Sequence, residues 1–327
     1  MRGMRIGTHN GDHGRIVLVL ALFMIFLIPG CLEEEPGEYP DVTRYEKIPR
    51  DAVKVTPEAD VHPPILHSDE FEEPVPMPGL VNTKGGEDSP FIMPDGDTFY
   101  FFFTPDVSVP PEKQVIDDVT GIYVSHKVNG TWSEAERVWL QDPGKLSLDG
   151  AQTIIGNTMW FACAREGYEG LQWFTAERVD GEWTNWKHAG DRMLELEVGE
   201  LHFVGDDLYF HSGRDGGKGA YDIWMMSRDG DDWTTPVNLE NVNTEQNEGW
   251  PYLTPDGGEL WFTRQHMGAP SIWRSYKSNG AWQEPELIVE TFAAEPTLDS
   301  EGNLYFAHHF FKDDVMIEAD IYVCYRK

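Results

Sequence analysis

Basic residues are scarce in this chain. It carries 25 Lys and Arg against 57 Asp and Glu over 327 residues, a formal charge of -32, and no run of Lys and Arg supplies a local positive patch. A nucleic-acid backbone would be repelled, so a nucleic-acid partner is excluded. Cysteine is almost absent, at three residues. None forms a Cys-x-x-Cys pair, so neither a zinc ribbon nor a dithiol redox centre is encoded. No Gly-rich phosphate loop and no Ser, His and Asp constellation is visible, which removes nucleotide hydrolysis and serine-type acyl transfer. After residue 29 there is no long apolar run. What is plentiful is aromatic side chain, 13 % of the chain with 12 Trp, together with 32 Gly and 22 Pro. That mixture favours an all-β protein with many tight turns over a helical bundle.

The one apolar run lies at the N-terminus. Arg2, Arg5 and Arg15 precede Ile16 to Pro29, and the run stops at Gly30-Cys31, the layout of a secretory signal. It is short of the roughly 20 residues a spanning helix needs. Ile28-Pro29-Gly30 before Cys31 looks like a lipobox, which implies cleavage and acylation of Cys31. The competing reading is an uncleaved anchor with an incidental cysteine. Either places the remainder outside the cytoplasm, tethered to a membrane surface. Residues 1–31 are therefore expected to be a signal segment. Residues 32–66, rich in Glu and Pro and without apolar periodicity, are expected to be an extended acidic tether. Residues 67–327 form the folded domain.

That domain repeats itself. "TWSEAERV", "EWTNWKHA", "DWTTPVNL" and "AWQEPELI" place Trp132, Trp183, Trp233 and Trp282 at intervals of 51, 50 and 49 residues. Upstream of these lie Tyr123, Trp173, Trp224 and Trp273, with Tyr322 as a fifth. A third marker is an aromatic pair: Tyr100-Phe101, Trp160-Phe161, Tyr209-Phe210, Trp261-Phe262 and Tyr305-Phe306. Each unit thus holds four short strand candidates separated by turn signals. Four strands in about 50 residues, repeated, indicate a β-propeller blade. The last unit ends at Lys327 without its fourth strand, and residues 70–91 read like the fourth-strand segment of the third unit, with Phe71 for Trp233 and Pro74 for Pro236. The expectation is an all-β, five-bladed β-propeller of four-stranded blades, its last blade closed by the N-terminal strand. The recurring aromatics are read as packing blade against blade. Cys163 and Cys324 fall in non-neighbouring units, which argues against their pairing.

Glu248, Pro251, Pro255-Asp256-Gly257, Leu260, Phe262, Arg264 and Ile272-Trp273, followed by Trp282 and Pro285, resemble the WD40-like β-propeller repeat of the TolB type, also found in many surface lipoproteins. Glu87, Pro90 and Pro94-Asp95-Gly96 carry the same pattern in the first unit. The resemblance implies a fold and leaves activity open, because such propellers include binding scaffolds, docking platforms and parts of enzymes.

In a propeller the loops before the first strand and after the second meet on one face around the central tunnel. The candidate acids there are Glu87, Asp88, Asp149, Glu200, Glu248 and Glu295, and the candidate cations are Arg165, Arg214 and Arg264, with His308 and His309 in the fifth unit. Three roles compete. The acids can be structural acceptors of backbone N–H groups. They can form a ligand or Ca²⁺ site, with arginines clamping an anionic group. Or Asp88, Asp149 and Glu200 can act as the acids of an arabinanase-like, family 43 glycoside hydrolase. Glu87, Asp149 and Glu248 share one register, whereas Glu200 and Glu295 share another two residues later. Glu200 and His202 alternate on one strand face and could be two metal ligands, although no third is apparent. Residues 104–121, Pro-rich and acidic, form a long insertion that could be a lid or a partner-binding arm. Asn129-Gly130-Thr131 is a glycosylation sequon. The expected role is a monomeric, membrane-tethered scaffold for a protein or carbohydrate ligand with no required cofactor. Glycoside hydrolysis is the alternative.

Overall fold

The computed structural model describes residues 37–327. The signal segment, Cys31 and residues 32–36 of the expected tether lie outside the described residues. Among the described residues the regular secondary structure is nearly all β-strand. Three one-turn helices, Arg44–Lys47, Pro111–Gln114 and Arg192–Glu195, are the only α-helical elements among the described residues.

The strands follow the repeat. Unit one comprises Gly86–Ile92, Thr98–Thr104 and Gly121–Val128. Two short outer pieces, Thr131–Trp132 and Glu136–Arg137, both pair with the third strand. Unit two comprises Ser147–Ile155, Thr158–Arg165, Gln172–Val179 and an unbroken outer strand, Glu182–His188. Unit three runs Leu201–Val204, Asp207–Ser212 and Asp222–Asp229, with outer pieces Asp232–Trp233 and Val237–Asn238. Unit four runs Glu248–Leu253, Glu259–His266 and Ala269–Ser278, with Ala281–Trp282 and Glu286–Glu290 outside. Unit five has Ala293–Leu298, Leu304–Lys312 and Val315–Cys324. Its outer partner comes from the other end of the chain: Val75 pairs with Val323, Pro76 with Tyr322, and Phe71 bridges to Arg326. Proline fits at this edge because its missing N–H is not needed there.

Four of the five inner strands share one irregularity. Pairing skips a residue between Asp88 and Phe91, Gly150 and Thr153, Gly249 and Tyr252, and Ala294 and Thr297. The extra residue has positive φ: Ser89 at 47°, Ala151 at 51°, Trp250 at 51° and Glu295 at 58°. A bulge re-aims the side chain it carries, and these side chains, with Glu200 at the same place in unit three, line one central cavity. The first strands are therefore innermost.

The core is a set of inter-unit layers. Phe91 and Tyr100 pack with Met159 and Phe161, Trp173 with Leu208 and Phe210, and Tyr209 with Leu260 and Phe262. Trp261 packs with Leu304 and Phe306, and Phe99 and Phe101 with Tyr305 and Ala307. The last pair joins unit five to unit one. Three of the four outer-strand tryptophan markers are buried as expected, Trp132, Trp233 and Trp282 at 4 %, 7 % and 8 % exposed, whereas Trp183 stays partly exposed. Phe71 fills the same role for unit five, fully buried and edge-on to Trp261 at 6.0 Å. Cys163 and Cys324 are both free and buried.

Residues 37–66 are not a free tether. Tyr39 stacks on Trp139 at 4.7 Å and donates to the Gln141 carbonyl at 2.7 Å. Arg44 is 2 % exposed, Lys54 bonds Glu318 and Asp320, and Asp60 meets His308 at 2.9 Å. Ile65–Leu66 pairs with Glu286–Glu290. The segment lacks apolar periodicity because polar side chains seat it. The insertion at 104–121 is likewise anchored at its base: Asp117 accepts from the N–H of Val119 at 2.9 Å and of Thr120 at 2.7 Å, and Tyr123 Oη donates to the Val119 carbonyl at 2.8 Å. None of its residues lines the central cavity.

Candidate functional site

The candidate acids separate by register into two environments. Glu87, Asp149 and Glu248 are fully buried. Glu248 accepts from the Thr244 N–H at 3.1 Å and Oγ1 at 2.5 Å, and from Arg264 Nε at 2.8 Å. Glu87 accepts from the Thr83 N–H at 3.0 Å and Oγ1 at 2.6 Å, with Arg44 Nη1 at 3.4 Å. Asp149 accepts from Ser147 Oγ at 2.9 Å and Arg165 at 3.2 Å. Glu87 and Glu248 close the turn leading into their own inner strand, Asp149 bonds within its strand and to arginine, and none of the three binds an amide of the neighbouring unit. Burial pushes the Glu87 carboxyl up to about 7 against the opposing pull of Arg44 and Thr83. Glu248 is raised for the same reason, with Thr244 and Arg264 opposing.

The candidate arginines are also engaged internally. Each binds a carbonyl in the connection entering its own unit and lies over the aromatic ring of its third strand. Arg165 donates to the Leu140 carbonyl at 2.8 Å, 4.2 Å from the Phe174 centroid. Arg214 donates to Leu196 at 3.2 Å, 5.2 Å from Trp224. Arg264 donates to the Val242 carbonyl, 4.5 Å from Trp273. In unit five His308 sits 5.0 Å from Tyr322 and takes Asp60 as its partner. Unit one has Phe103 opposite Glu87, where unit four has Arg264 opposite Glu248. Arg44 enters from the N-terminal segment instead, donating to Leu80 at 2.8 Å and Val81 at 2.9 Å, 5.6 Å from Tyr123. Sequence reasoning missed Arg44, Lys54 and Asp60. The signal available was Phe103 at the second-strand position where unit four carries Arg264, with a basic residue upstream.

Asp88, Glu200 and Glu295 occupy the second environment. Glu200 and Glu295 line a cavity of about 50 Å³, with Gln152, His202 and Trp250. Burial raises Glu200 to about 8, and the Asp88 charge adds to the rise while Trp250 opposes it. Glu295 is raised well above the usual range by burial and then by Asp88 and Glu200, with Ser89 opposing. Like charges in one site cannot all ionise freely. Asp88 also faces His309 at 3.4 Å. Burial pushes His202 down to about 4, so it is a neutral ring against Tyr252 at 4.7 Å. Gln152 Oε1, Thr153 Oγ1, Thr297 Oγ1 and Glu295 Oε2 are buried without a protein partner, a setting suited to ordered water. Among the described residues no three His, Cys, Asp or Glu side chains converge as a metal site, so Glu200 and His202 acquire no third ligand.

The trio Asp88, Asp149 and Glu200 is not assembled as hydrolase acids. Asp149 is 0 % exposed and paired with arginine, Glu200 lines the central cavity, and Asp88 lies outside that lining, against His309. Ligand pockets for organic molecules typically measure about 300–1,000 Å³, so a cavity of about 50 Å³ admits water or a small ion but no sugar ring.

No family model matches the chain, and no curated protein matches it. Among solved structures, a TolB-like protein from Agrobacterium tumefaciens is 16 % identical, covering 71 % of this chain and 73 % of that one, with a TM-score of 0.42. An α-L-arabinofuranosidase from Lactobacillus brevis is 13 % identical over 73 % and 90 % of the two chains, TM-score 0.44. A gluconolactonase from Xanthomonas campestris is 11 % identical over 85 % and 99 %, TM-score 0.46. None of these likenesses assigns a family to the chain.

Proposed function

We propose that the chain is a five-bladed β-propeller, closed between its first and fifth units by the Val75–Pro76 strand, that works as a monomeric binding module without catalysis. The pairing of Val75 with Val323 and the layer joining Phe99 to Tyr305 support the closure. The single observation that carries the non-catalytic reading is the state of the candidate acids. Glu87, Asp149 and Glu248 are spent on turns and arginines, and Glu200 and Glu295 face a cavity too small for a substrate. A protein or carbohydrate ligand would then be held on an outer surface. The N-terminal signal and Cys31 would place the module outside the cytoplasm, attached to a membrane. Among the described residues no helix is long and apolar enough to cross one, so attachment would rest on residues 1–31.

A second reading has one observation in its favour. Glu200 and Glu295 share one cavity, and burial together with the Asp88 charge raises both; glycoside hydrolysis needs a carboxyl that keeps its proton. A side-by-side screen of glycans and polysaccharides for binding and for turnover, with and without Ca²⁺, separates the two. Binding without turnover supports the module, and Glu200-dependent turnover supports the hydrolase.

A further inference from the structure

We propose that the groove between units one and two is a binding site for a neutral oligosaccharide; the inference rests on the binding-module reading and names its ligand class. The repeat supplies the first observation. In "EWTNWKHA" of unit two, Trp186 stands where units one, three and four carry the buried Ala135, Pro236 and Pro285 and unit five the partly buried Pro74. Trp186 is half-buried and follows an exposed Asn185. Its neighbour Trp183 shares the strand register of Trp132, Trp233 and Trp282 but stays partly exposed. A repeat that elsewhere hides one tryptophan here presents two.

The second observation is the space in front of them. Trp183 and Trp186 line a groove of about 490 Å³, within the size range of organic ligand pockets and about ten times the central cavity. Trp183 is held by its indole N–H to Tyr100 Oη at 3.3 Å and meets that ring in an edge-to-face arrangement. The stacked Tyr39 and Trp139 also line it, so the N-terminal segment contributes to the groove. Trp186 also walls a second recess of about 260 Å³ beside Lys145 and Glu166. One indole standing between two recesses suits a ligand with repeating units.

Chemistry selects the occupant. A pyranose offers a face of C–H groups to an aromatic ring and a rim of hydroxyls that need both donors and acceptors. The groove supplies flat indoles with Arg178 and His126 as donors and exposed Glu136 and Glu182 as acceptors. Charges of both signs at the rim, on a chain of net charge -32, disfavour an anionic polymer.

The test uses the full chain with neutral cello-, xylo-, manno-, chito- and arabino-oligosaccharides, read by tryptophan fluorescence and calorimetry. Binding of at least one series is expected, with affinity falling about tenfold or more in Trp186→Ala, largely kept in Trp186→Tyr, and unchanged in Glu200→Gln. Alanine is the residue unit one carries at this position, so the variant is compatible with the fold. Binding unaffected by Trp186→Ala would overturn the groove and leave the binding module standing. Failure of every series to bind, or binding of a proline-rich peptide in their place, would overturn the saccharide assignment. Turnover that depends on Glu200 would sink the module reading and not the groove.

Discussion

Arg44 lies over Tyr123, 5.6 Å from the ring centroid, and reaches Glu87 at 3.4 Å with both groups buried. A residue far upstream thereby stands in for the second-strand cation that unit one replaces with Phe103, beside the unit's own Arg137 over the same ring at 5.8 Å. It repeats what Arg165, Arg214 and Arg264 do within their own units.

Removing that cation should be costly. Arg44→Ala leaves Glu87 buried with Thr83 as its hydrogen-bond partner and only the more distant Lys54 charge, and breaking a buried pair by deleting one partner costs about 3–5 kcal/mol. Chemical denaturation should show that loss. Arg44→Ala combined with Glu87→Gln should recover part of it, because a neutral amide needs no counter-charge.

The N-terminal segment should be required for a closed molecule. Phe71 is fully buried against Trp261, so Phe71→Ala should cost about 3–5 kcal/mol. Deletion through residue 80 removes the Val75–Pro76 strand and uncovers the edge of Val315–Cys324. Exposed edges template association, so size-exclusion chromatography should show oligomers or aggregates in place of a monomer.

Stability should depend on pH through Glu200. Its folded carboxyl is raised to about 8 from an ordinary value near 4.5. Between those values the folded state holds a proton that the unfolded state releases. The stabilising contribution is therefore complete below about pH 4.5 and is lost as pH rises towards 8. Glu200→Gln removes this dependence, at most about 1.4 kcal/mol per pH unit. Thermal unfolding should show the variant gaining on the wild type as pH rises from 5 to about 8.

Both described cysteines should be inert in the native state. Burial pushes the Cys324 thiol up to about 12 and Cys163 higher still, and a thiol rather than a thiolate is unreactive. Intact-mass analysis after iodoacetamide should show neither residue labelled until denaturant is added.

The repeat was legible because every unit places an aromatic ring at the same outer position, buried in all but unit two. The spacing of Trp132, Trp183, Trp233 and Trp282 revealed the units, and the echo of Trp233 in Phe71 anticipated the strand from the far end. The second register of Glu200 and Glu295 was also legible, and it separates cavity acids from turn acids. The seating of residues 37–66 was not, since Tyr39, Arg44, Lys54 and Asp60 carry no periodic pattern. The inward commitment of Arg165, Arg214 and Arg264 was hidden because a residue name does not show whether a carbonyl lies within reach. The recurrence of Thr four residues before Glu in Thr83/Glu87 and Thr244/Glu248 was the available clue that those acids close turns.

The central claim is that this molecule binds without catalysing. Its most direct test is reducing-end release from arabinan, xylan and neutral oligosaccharides by the full chain, compared with Glu200→Gln and Glu295→Gln. No release above the blank by any of the three proteins is the predicted result. Turnover by the wild type that either substitution abolishes would contradict it.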